Sequence, residues 1–181
     1  MAGRPFAVVG PSGAGKDTLL AEAARRRPDL HVVRRVITRP ARRRDCEPFE
    51  PVSETEFARR RTAGEFVLDW EAHGLHYGIP DSIDRALAEG RDALFNGSRG
   101  ILGRAWEVFP GLTVIHVTAA PPVLAQRLTA RGRENEAEIS RRLARAAYQI
   151  PYGPQVRVVE NNGALEVAVQ AFLDALQPES L

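Results

Sequence analysis

Two patterns of apolar residues alternate along the chain and predict alternating strands and helices. Short apolar runs are typical of buried strands, and they predict strands at residues 5–9, 30–37, 66–70, 75–77, 92–95, 112–117 and 156–159. Longer helix-forming segments predict helices at 18–26, 54–63, 82–88, 98–109, 121–131, 137–147 and 164–176. This alternation favours an α/β fold of three layers, with a central parallel sheet and helices on both faces.

Local signals mark where several of these elements begin and end. Ser53 followed by Glu56 forms a capping box, and Gly64 is placed to end the helix that the box begins. Residues 40–51 are rich in arginine and proline and predict a loop. Residues 73–74, His-Gly, predict a turn between two short strands.

The composition is that of a single domain. The chain has 181 residues, of which 44% are hydrophobic and 27% charged, which is ordinary for a globular protein with one core. No apolar run approaches the ~20 residues that cross a bilayer, and no secretory signal begins the sequence. The single cysteine, Cys46, cannot form an internal disulfide. We therefore expect a cytoplasmic protein without a membrane partner.

The charge pattern leaves two interpretations open. The net charge is only +2, but arginine triplets occur at 25–27, 42–44 and 59–61. Such triplets could bind nucleic acid, or they could lie on solvated helix surfaces. The second interpretation is favoured because no aromatic residues are interleaved with the arginines. We therefore expect no nucleic-acid partner.

A glycine-rich stretch after the first predicted strand carries the strongest chemical signal. A strand, this stretch and a helix follow one another, which is the context of a phosphate-binding loop. Glycines let backbone N–H groups approach an anion, and the helix adds its positive N-terminal end. Lys16, the only lysine, is placed to bind the outer phosphates. The candidate nucleotide-binding residues are Gly10, Pro11, Ser12, Gly13, Ala14, Gly15, Lys16, Asp17 and Thr18.

Asp17 stands where this loop motif normally has a serine or threonine that binds Mg²⁺. A carboxylate is a strong ligand for Mg²⁺, but beside phosphates it is tolerable only if the cation lies between them. We therefore interpret Asp17 as facing the metal, directly or through water. The alternative is that its charge only stabilises the start of the helix.

The order of motifs resembles the guanylate kinase superfamily of P-loop kinases over nearly the whole chain. The matching motifs are the loop 10–16, Thr38-Arg39-Pro40 with Arg42, Gly64-Glu65-Phe66, Tyr77-Gly78, Arg131-Gly132 with Arg142, and Asn161. The resemblance implies a core of residues 1–33, 81–126 and 146–181, a substrate lobe at 34–80 and a lid at 127–145. It also implies that Asn161 contacts the adenine of ATP.

Three departures from that superfamily predict that guanylate is a poor substrate. The guanine-reading glutamate corresponds to Leu68, a hydroxyl-bearing pair corresponds to residues 79–80, and a phosphate-binding tyrosine corresponds to Phe49. Leucine offers no acceptor to the ring N–H and amino groups of guanine. Losing paired buried polar groups discriminates by up to ~10⁴ to 10⁵.

The altered motifs resemble a narrower family, the ribose 1,5-bisphosphate phosphokinases. The matching segments are Lys16-Asp17-Thr18 and the ranges 35–40, 70–80, 96–99 and 131–134, whereas residues 43–46 are less typical. The resemblance implies transfer of the ATP γ-phosphoryl group to the 1-phosphate of ribose 1,5-bisphosphate, giving 5-phosphoribosyl 1-diphosphate in phosphonate breakdown. The acceptor oxygen is already ionised at neutral pH, so no general base is expected.

Residue roles follow from this resemblance. We expect Lys16, Arg131 and Arg142 to be catalytic, with the two arginines closing over the transferring group. The predicted substrate-binding residues are Arg35, Arg39, Arg42, Tyr77 and Arg99. Arg39 and Arg42 would clamp the acceptor's phosphates. A bisphosphate has two anionic ends, so an extra arginine is expected, which Arg35 or Arg99 could supply. Equally, Arg35 could be a surface strand charge and Arg99 an ordinary residue at a helix N-terminus. Other interpretations are a nucleoside monophosphate kinase and a non-catalytic binding module of the same fold.

Overall fold

The computed structural model describes residues 2–40, 48–131, 140, 144, 150 and 155–178, and Arg131 by its backbone alone. Its strands are β1 (Pro5–Val9), β2 (His31–Val32), β3 (Val36–Ile37), β4 (Glu50–Pro51), β5 (Phe66–Ala72), β6 (Leu75–Pro80), β7 (Ala93–Asn96), β8 (Thr113–Thr118) and β9 (Val156–Glu160). Its helices are α1 (Lys16–Arg26), α2 (Glu54–Thr62), α3 (Ser82–Ala88), α4 (Leu102–Val108), α5 (Pro121–Arg131) and α6 (Leu165–Asp174), with a 3₁₀ turn at Arg99–Ile101. Within these ranges no helix combines the length and the apolar character that a membrane span requires.

A parallel sheet of five strands, in the order β2-β7-β1-β8-β9, forms the centre of the core. Successive residues of β1 face opposite sides of this sheet. Phe6 and Val8 pack in one apolar cluster with residues of α1 and α6, whereas Ala7 and Val9 pack in a second cluster with residues of α3 and α4. All four side chains are fully buried. The predicted three-layer α/β fold is confirmed.

A second sheet, in the order β4-β3-β6-β5, lies beside the core sheet, and we call it the lobe sheet, or with α2 the lobe. β5 and β6 are an antiparallel hairpin whose turn is at His73 and Gly74, as predicted, and both residues have positive φ, 56° and 71°. α2 packs on this sheet through Phe57, whose ring stacks on that of Phe66 at 4.7 Å. Ser53 begins α2 as predicted, because its side chain accepts a hydrogen bond from the Glu56 N–H.

The prediction of one strand over residues 30–37 is wrong. The segment forms two strands of two residues each, β2 in the core sheet and β3 in the lobe sheet. The Val33 N–H still donates to the Leu94 carbonyl oxygen, whereas the Arg35 carbonyl oxygen already accepts from the Glu50 N–H, both at 2.8 Å. The chain therefore passes from one sheet to the other within three residues. Arg34 and Arg35 interrupt the apolar pattern at this point, but the interruption does not show that the two halves pair with different sheets.

Other boundaries also differ from the prediction. Residues 50–51 lie in the predicted loop but form the edge strand β4, where Pro51 is tolerated because an edge strand leaves some N–H groups unpaired. The segment predicted as one helix over 98–109 begins with a 3₁₀ turn, in which Ser98 Oγ accepts from the Gly100 N–H. The first helix begins at Lys16 rather than at Thr18. Of the predicted helix over 137–147, the structure describes only residues 140 and 144, both helical and exposed.

Candidate active site

The glycine-rich loop between β1 and α1 has a backbone that other residues would not fit. Gly10 has φ of 151°, and a Cβ added there would lie 2.1 Å from the Val117 carbonyl oxygen. Gly15 has φ of 92°, and its Cβ would lie 2.5 Å from Asn161 Nδ2. The loop therefore packs its backbone directly against the ends of β8 and β9. Glycine at these positions is a steric requirement of the fold.

Lys16 lies at the first residue of α1 and reaches back over the loop. Its Nζ donates to the carbonyl oxygens of Gly10 and Pro11, at 2.9 and 3.1 Å. The N-cap residue, Gly15, is left-handed and gives α1 no side-chain cap. An ammonium group and the positive end of a helix thus meet at one loop, which is the arrangement that binds phosphate.

Asp17 is held by a residue that the sequence analysis did not assign to the site. Asn96, the last residue of β7, donates from Nδ2 to Asp17 Oδ1 at 2.9 Å. Asn96 is buried, and β7 pairs with β1, so the amide is fixed by the core sheet. The only sequence signal for this contact is that Asn96 begins the motif at residues 96–99.

The contact from Asn96 favours the metal-facing interpretation of Asp17 over a capping role. One carboxylate oxygen is tied to a core amide, which orients the group as ligands are oriented by neighbouring hydrogen bonds. Within the described part of the chain no group of three or more histidine, cysteine or acidic residues could hold a metal alone. Mg²⁺ bound at this position would therefore take most of its ligands from phosphate and water, as it usually does in kinases.

A cavity of about 480 Å³ opens between the loop and the lobe. It brings together every predicted substrate residue that the structure describes, namely Arg35, Arg39, Tyr77 and Arg99, and joins them to Lys16 and Asp17. Among the described residues that line it, Asp17 is the only acidic one. The size suits a small ligand, and the surplus of cations suits an anionic one.

Aromatic rings hold two of these arginines on the lobe side of the cavity. The rings of Trp70 and Tyr77 are stacked at 5.3 Å and 8° from parallel, and Arg35 Cζ lies 5.2 Å from the Tyr77 ring centre. Arg39 Cζ lies 4.2 Å from the ring centre of Phe49, which is buried. Phe49, which corresponds to a phosphate-binding tyrosine of the superfamily, thus supports an arginine with its ring.

Leu68 does not line the cavity. It is 1% exposed and packs with Ile79 in the second apolar cluster of the core. The position that corresponds to the guanine-reading glutamate of guanylate kinases is therefore an ordinary core position here. No described lining residue other than Asp17 offers a carboxylate in its place.

A second cavity of about 350 Å³ lies on the other side of the loop. Gly13, Gly15, Thr18, Arg127, Asn161 and neighbouring residues line it. Asn161 is 4% exposed and braces the loop, because its Nδ2 donates to the Ala14 carbonyl oxygen at 2.8 Å. The loop therefore separates two cavities, and the residue predicted to contact adenine lies in the smaller one.

His116 is a buried neighbour of the loop that sequence reasoning missed. It lies on β8 opposite Val9, and it is 5% exposed. Burial lowers the pKa of His116, and the positive charges of Arg99 and Lys16 lower it further. The imidazole is thus neutral near pH 7. His116 is the only titratable residue of the run at 112–117, but the local sequence does not show that this strand pairs beside the loop.

The remaining predicted residues and the arginine triplets have these positions. The structure describes the backbone of Arg131 at the end of α5, whereas Arg42 and Arg142 lie outside the described residues. Arg25, Arg26 and Arg27 each pair with a carboxylate, and so do Arg59 and Arg60. These ion pairs favour the interpretation of the triplets at 25–27 and 59–61 as ordinary surface charge.

Relatives in other organisms are similar to the chain over nearly its full length. It is 49% identical over 177 residues to the ribose 1,5-bisphosphate phosphokinase PhnN of Ruegeria sp. (strain TM1040), covering 96% of this chain and 93% of that protein. It is 51% identical to the protein of the same name from Acidiphilium cryptum, covering 96% and 92%. A bifunctional ribose 1,5-bisphosphokinase-thymidine phosphorylase of Cupriavidus pinatubonensis is 44% identical, with 95% of this chain matched to 29% of that protein.

Solved structures support the fold. A guanylate kinase from Anaplasma phagocytophilum matches 96% of this chain and 85% of its own, with a TM-score of 0.66 and 20% identity. A gluconokinase from Sinorhizobium meliloti 1021 matches 96% and 91%, with a TM-score of 0.57 and 17% identity. No protein-family model matches the chain. Because the identities are only 17–20%, these matches show the P-loop fold alone.

Proposed function

We propose, from the premise that the chain belongs to the family of ribose 1,5-bisphosphate phosphokinases, that it transfers the γ-phosphoryl group of ATP to the 1-phosphate of ribose 1,5-bisphosphate. The products are ADP and 5-phosphoribosyl 1-diphosphate. The acceptor phosphate oxygen forms the new P–O bond, the bond to the β-phosphate oxygen breaks, and ADP leaves with that electron pair. We place this reaction in phosphonate breakdown and in the cytoplasm.

One observation carries this proposal: the cavity beside the phosphate-binding loop is lined by Lys16 and three arginines, with Leu68 buried elsewhere. A doubly anionic sugar satisfies this surplus of positive charge. A purine would meet no carboxylate that could accept from its N–H groups, apart from Asp17 beside the loop. The charge and shape of the site therefore favour a phosphorylated sugar over guanylate.

The roles of the loop residues follow from phosphoryl transfer, which needs positioning and charge neutralisation more than covalent chemistry. The loop amides and Lys16 hold the β- and γ-phosphates. Asp17, oriented by Asn96, would hold Mg²⁺ directly or through water. When bound, Mg²⁺ would neutralise charge on these phosphates. No general base is needed, because the acceptor phosphate oxygen is already ionised at neutral pH.

Arginines complete the proposed site. Arg39 and Arg42 would clamp the acceptor with bidentate hydrogen bonds, and Tyr77 would donate its hydroxyl to a phosphate oxygen. Arg131 and Arg142 would close over the transferring group from the lid at 127–145. Asn161 would contact the adenine in the smaller cavity.

A coupled assay of ADP release tests the proposal. Ribose 1,5-bisphosphate and GMP are compared as acceptors at equal ATP, and the sugar diphosphate product is identified by mass. We expect kcat/KM to favour the bisphosphate by about 10⁴, since the site lacks the polar partners of guanine. Lys16→Met is the control and should lose activity with either acceptor. Comparable turnover of GMP would overturn the proposal in favour of a nucleoside monophosphate kinase.

A further inference from the structure

We infer that the larger cavity binds the bisphosphate in one orientation, with Arg99 holding the reacting 1-phosphate beside the loop and Arg35 holding the 5-phosphate against the lobe. The inference rests on the proposed function and adds to it which arginine meets which phosphate. It makes Arg35 the residue that distinguishes a bisphosphate from a sugar carrying only one phosphate.

Arg99 belongs to the end of the cavity where the loop lies. It comes three residues after Asn96, whose side chain is bonded to Asp17, and its backbone is fixed in the 3₁₀ turn that Ser98 caps. Arg99 lines the cavity together with Lys16 and with the bonded pair Asn96 and Asp17. A phosphate bound by Arg99 is therefore close to the phosphates that Lys16 holds.

Arg35 belongs to the opposite end. Its carbonyl oxygen accepts from the Glu50 N–H of β4 at 2.8 Å, which fixes its backbone at the edge of the lobe sheet. Its guanidinium lies over Tyr77, and Tyr77 stacks on Trp70 of the β5–β6 hairpin. A guanidinium positioned over a ring keeps its planar set of donors preorganised, so less conformational freedom is lost when it binds phosphate.

Phosphoryl transfer sets the direction of the substrate between these two ends. The acceptor oxygen must approach the γ-phosphate in line, so the reacting phosphate lies at the loop end with Arg99. The second phosphate then lies away from the loop, where Arg35 stands on the lobe wall. A sugar without a 5-phosphate would lack the charge-assisted hydrogen bonds to Arg35 and would bind less tightly.

Tryptophan fluorescence offers a direct binding assay, because Trp70 lines the cavity. The other tryptophan of the chain is Trp106, whose buried indole N–H has no hydrogen-bond partner among the described residues. Replacing it by phenylalanine removes an unsatisfied donor and leaves Trp70 as the reporter. In this Trp106→Phe parent, ribose 5-phosphate and ribose 1-phosphate are titrated separately, each carrying one of the two phosphates.

The proposal predicts opposite effects for the two arginines. Arg35→Gln should raise the Kd of ribose 5-phosphate about 10- to 100-fold and that of ribose 1-phosphate less than about threefold, because charge-assisted hydrogen bonds are strong. Arg99→Gln should do the reverse. Arg61→Gln removes an exposed charge from α2, outside the cavity, and should change neither Kd. Equal melting temperatures would show that the variants are folded alike.

Several outcomes would overturn the inference. If Arg35→Gln weakened ribose 1-phosphate and Arg99→Gln weakened ribose 5-phosphate, the sugar would bind in the reverse direction. If each variant raised the Kd of both ligands equally, the cavity would have no separate phosphate sites. An independent site at Arg35 would be contradicted if ribose 5-phosphate did not bind the parent at a concentration 100 times the Kd of the bisphosphate. A parent that binds GMP but not ribose 1,5-bisphosphate would instead refute the proposed function, and the two phosphate sites with it.

Discussion

Replacing Asn161 by alanine tests how the phosphate-binding loop is held. Asn161 is 4% exposed, and its Nδ2 donates to the Ala14 carbonyl oxygen at 2.8 Å. Removing the side chain leaves a buried carbonyl without this donor, which costs about 1–3 kcal/mol. Each kcal/mol lowers the Tm of a domain of this size by about 2–4 °C, so we expect a decrease of roughly 4–8 °C for a loss near 2 kcal/mol.

A second substitution isolates the contact itself. Gly15→Ala carries two costs, a left-handed residue at φ of 92° and an overlap of its Cβ with Asn161 Nδ2 at 2.5 Å. The left-handed conformation costs about 1–2 kcal/mol for alanine. In the Asn161→Ala background the overlap is gone and only that cost remains. The double variant should therefore be more stable than the sum of the single effects predicts, by about 1 kcal/mol or more.

Urea unfolding measures this coupling in the unmodified protein, in Gly15→Ala, in Asn161→Ala and in the double variant, all without nucleotide. Asn162→Ala serves as a control, because Asn162 is an exposed neighbour whose Oδ1 accepts from the Ala120 N–H, away from the loop. Water can replace that bond, so the loss should stay below about 1 kcal/mol. If the effects of Gly15→Ala and Asn161→Ala add within about 0.5 kcal/mol, the two residues do not touch and the reasoning fails.

Three other predictions concern separate parts of the molecule. Leu68→Glu buries a carboxylate in the core, so it should lower the free energy of unfolding by about 3 kcal/mol or more, measured from urea midpoints. It should not create guanylate kinase activity, measured as GMP turnover. Asp17→Asn should raise the Mg²⁺ concentration for half-maximal activity by about 10- to 100-fold, while metal-free ATP binding, measured by calorimetry, changes far less. Burial lowers the pKa of His31 and of His116 below the usual 6.5, so these histidines take up protons in the unfolded chain before they do so in the folded one. The stability that they contribute is therefore complete above pH 6.5 and is lost as the pH falls below it. The urea midpoints at pH 7.5 and pH 5.5 should differ less in the His31→Gln, His116→Gln double variant than in the unmodified protein.

The parts of the site that the sequence predicted are those that local chemistry determines. The loop at residues 10–18 was recognisable because its glycines and Lys16 lie at fixed spacings and are followed directly by a helix. The absence of a guanine-reading carboxylate was equally visible, since Leu68 lies at a fixed distance from the motif at 64–66. Both depend on neighbours in the chain.

The parts that the sequence did not predict depend on contacts between distant residues. Asn96 and Asp17 are hydrogen-bonded although they are 79 residues apart in the sequence, because β7 pairs with β1. His116 lies beside the loop because β8 pairs with β1, which places it opposite Val9. The division of residues 30–37 between two sheets was missed for the same reason, because a periodic pattern shows which side of a strand is buried but not which strand it pairs with.

The passage of the chain from one sheet to the other limits how this protein can change. Between Val33, bonded to the core, and Val36, paired with the lobe, the chain has only Arg34, which is exposed, and Arg35, which lines the cavity. Because Val36 and Ile37 are both buried, inserting a single residue before Arg35 would bring that arginine to the buried position of Val36. Substitutions can therefore retune this segment, whereas its length is fixed.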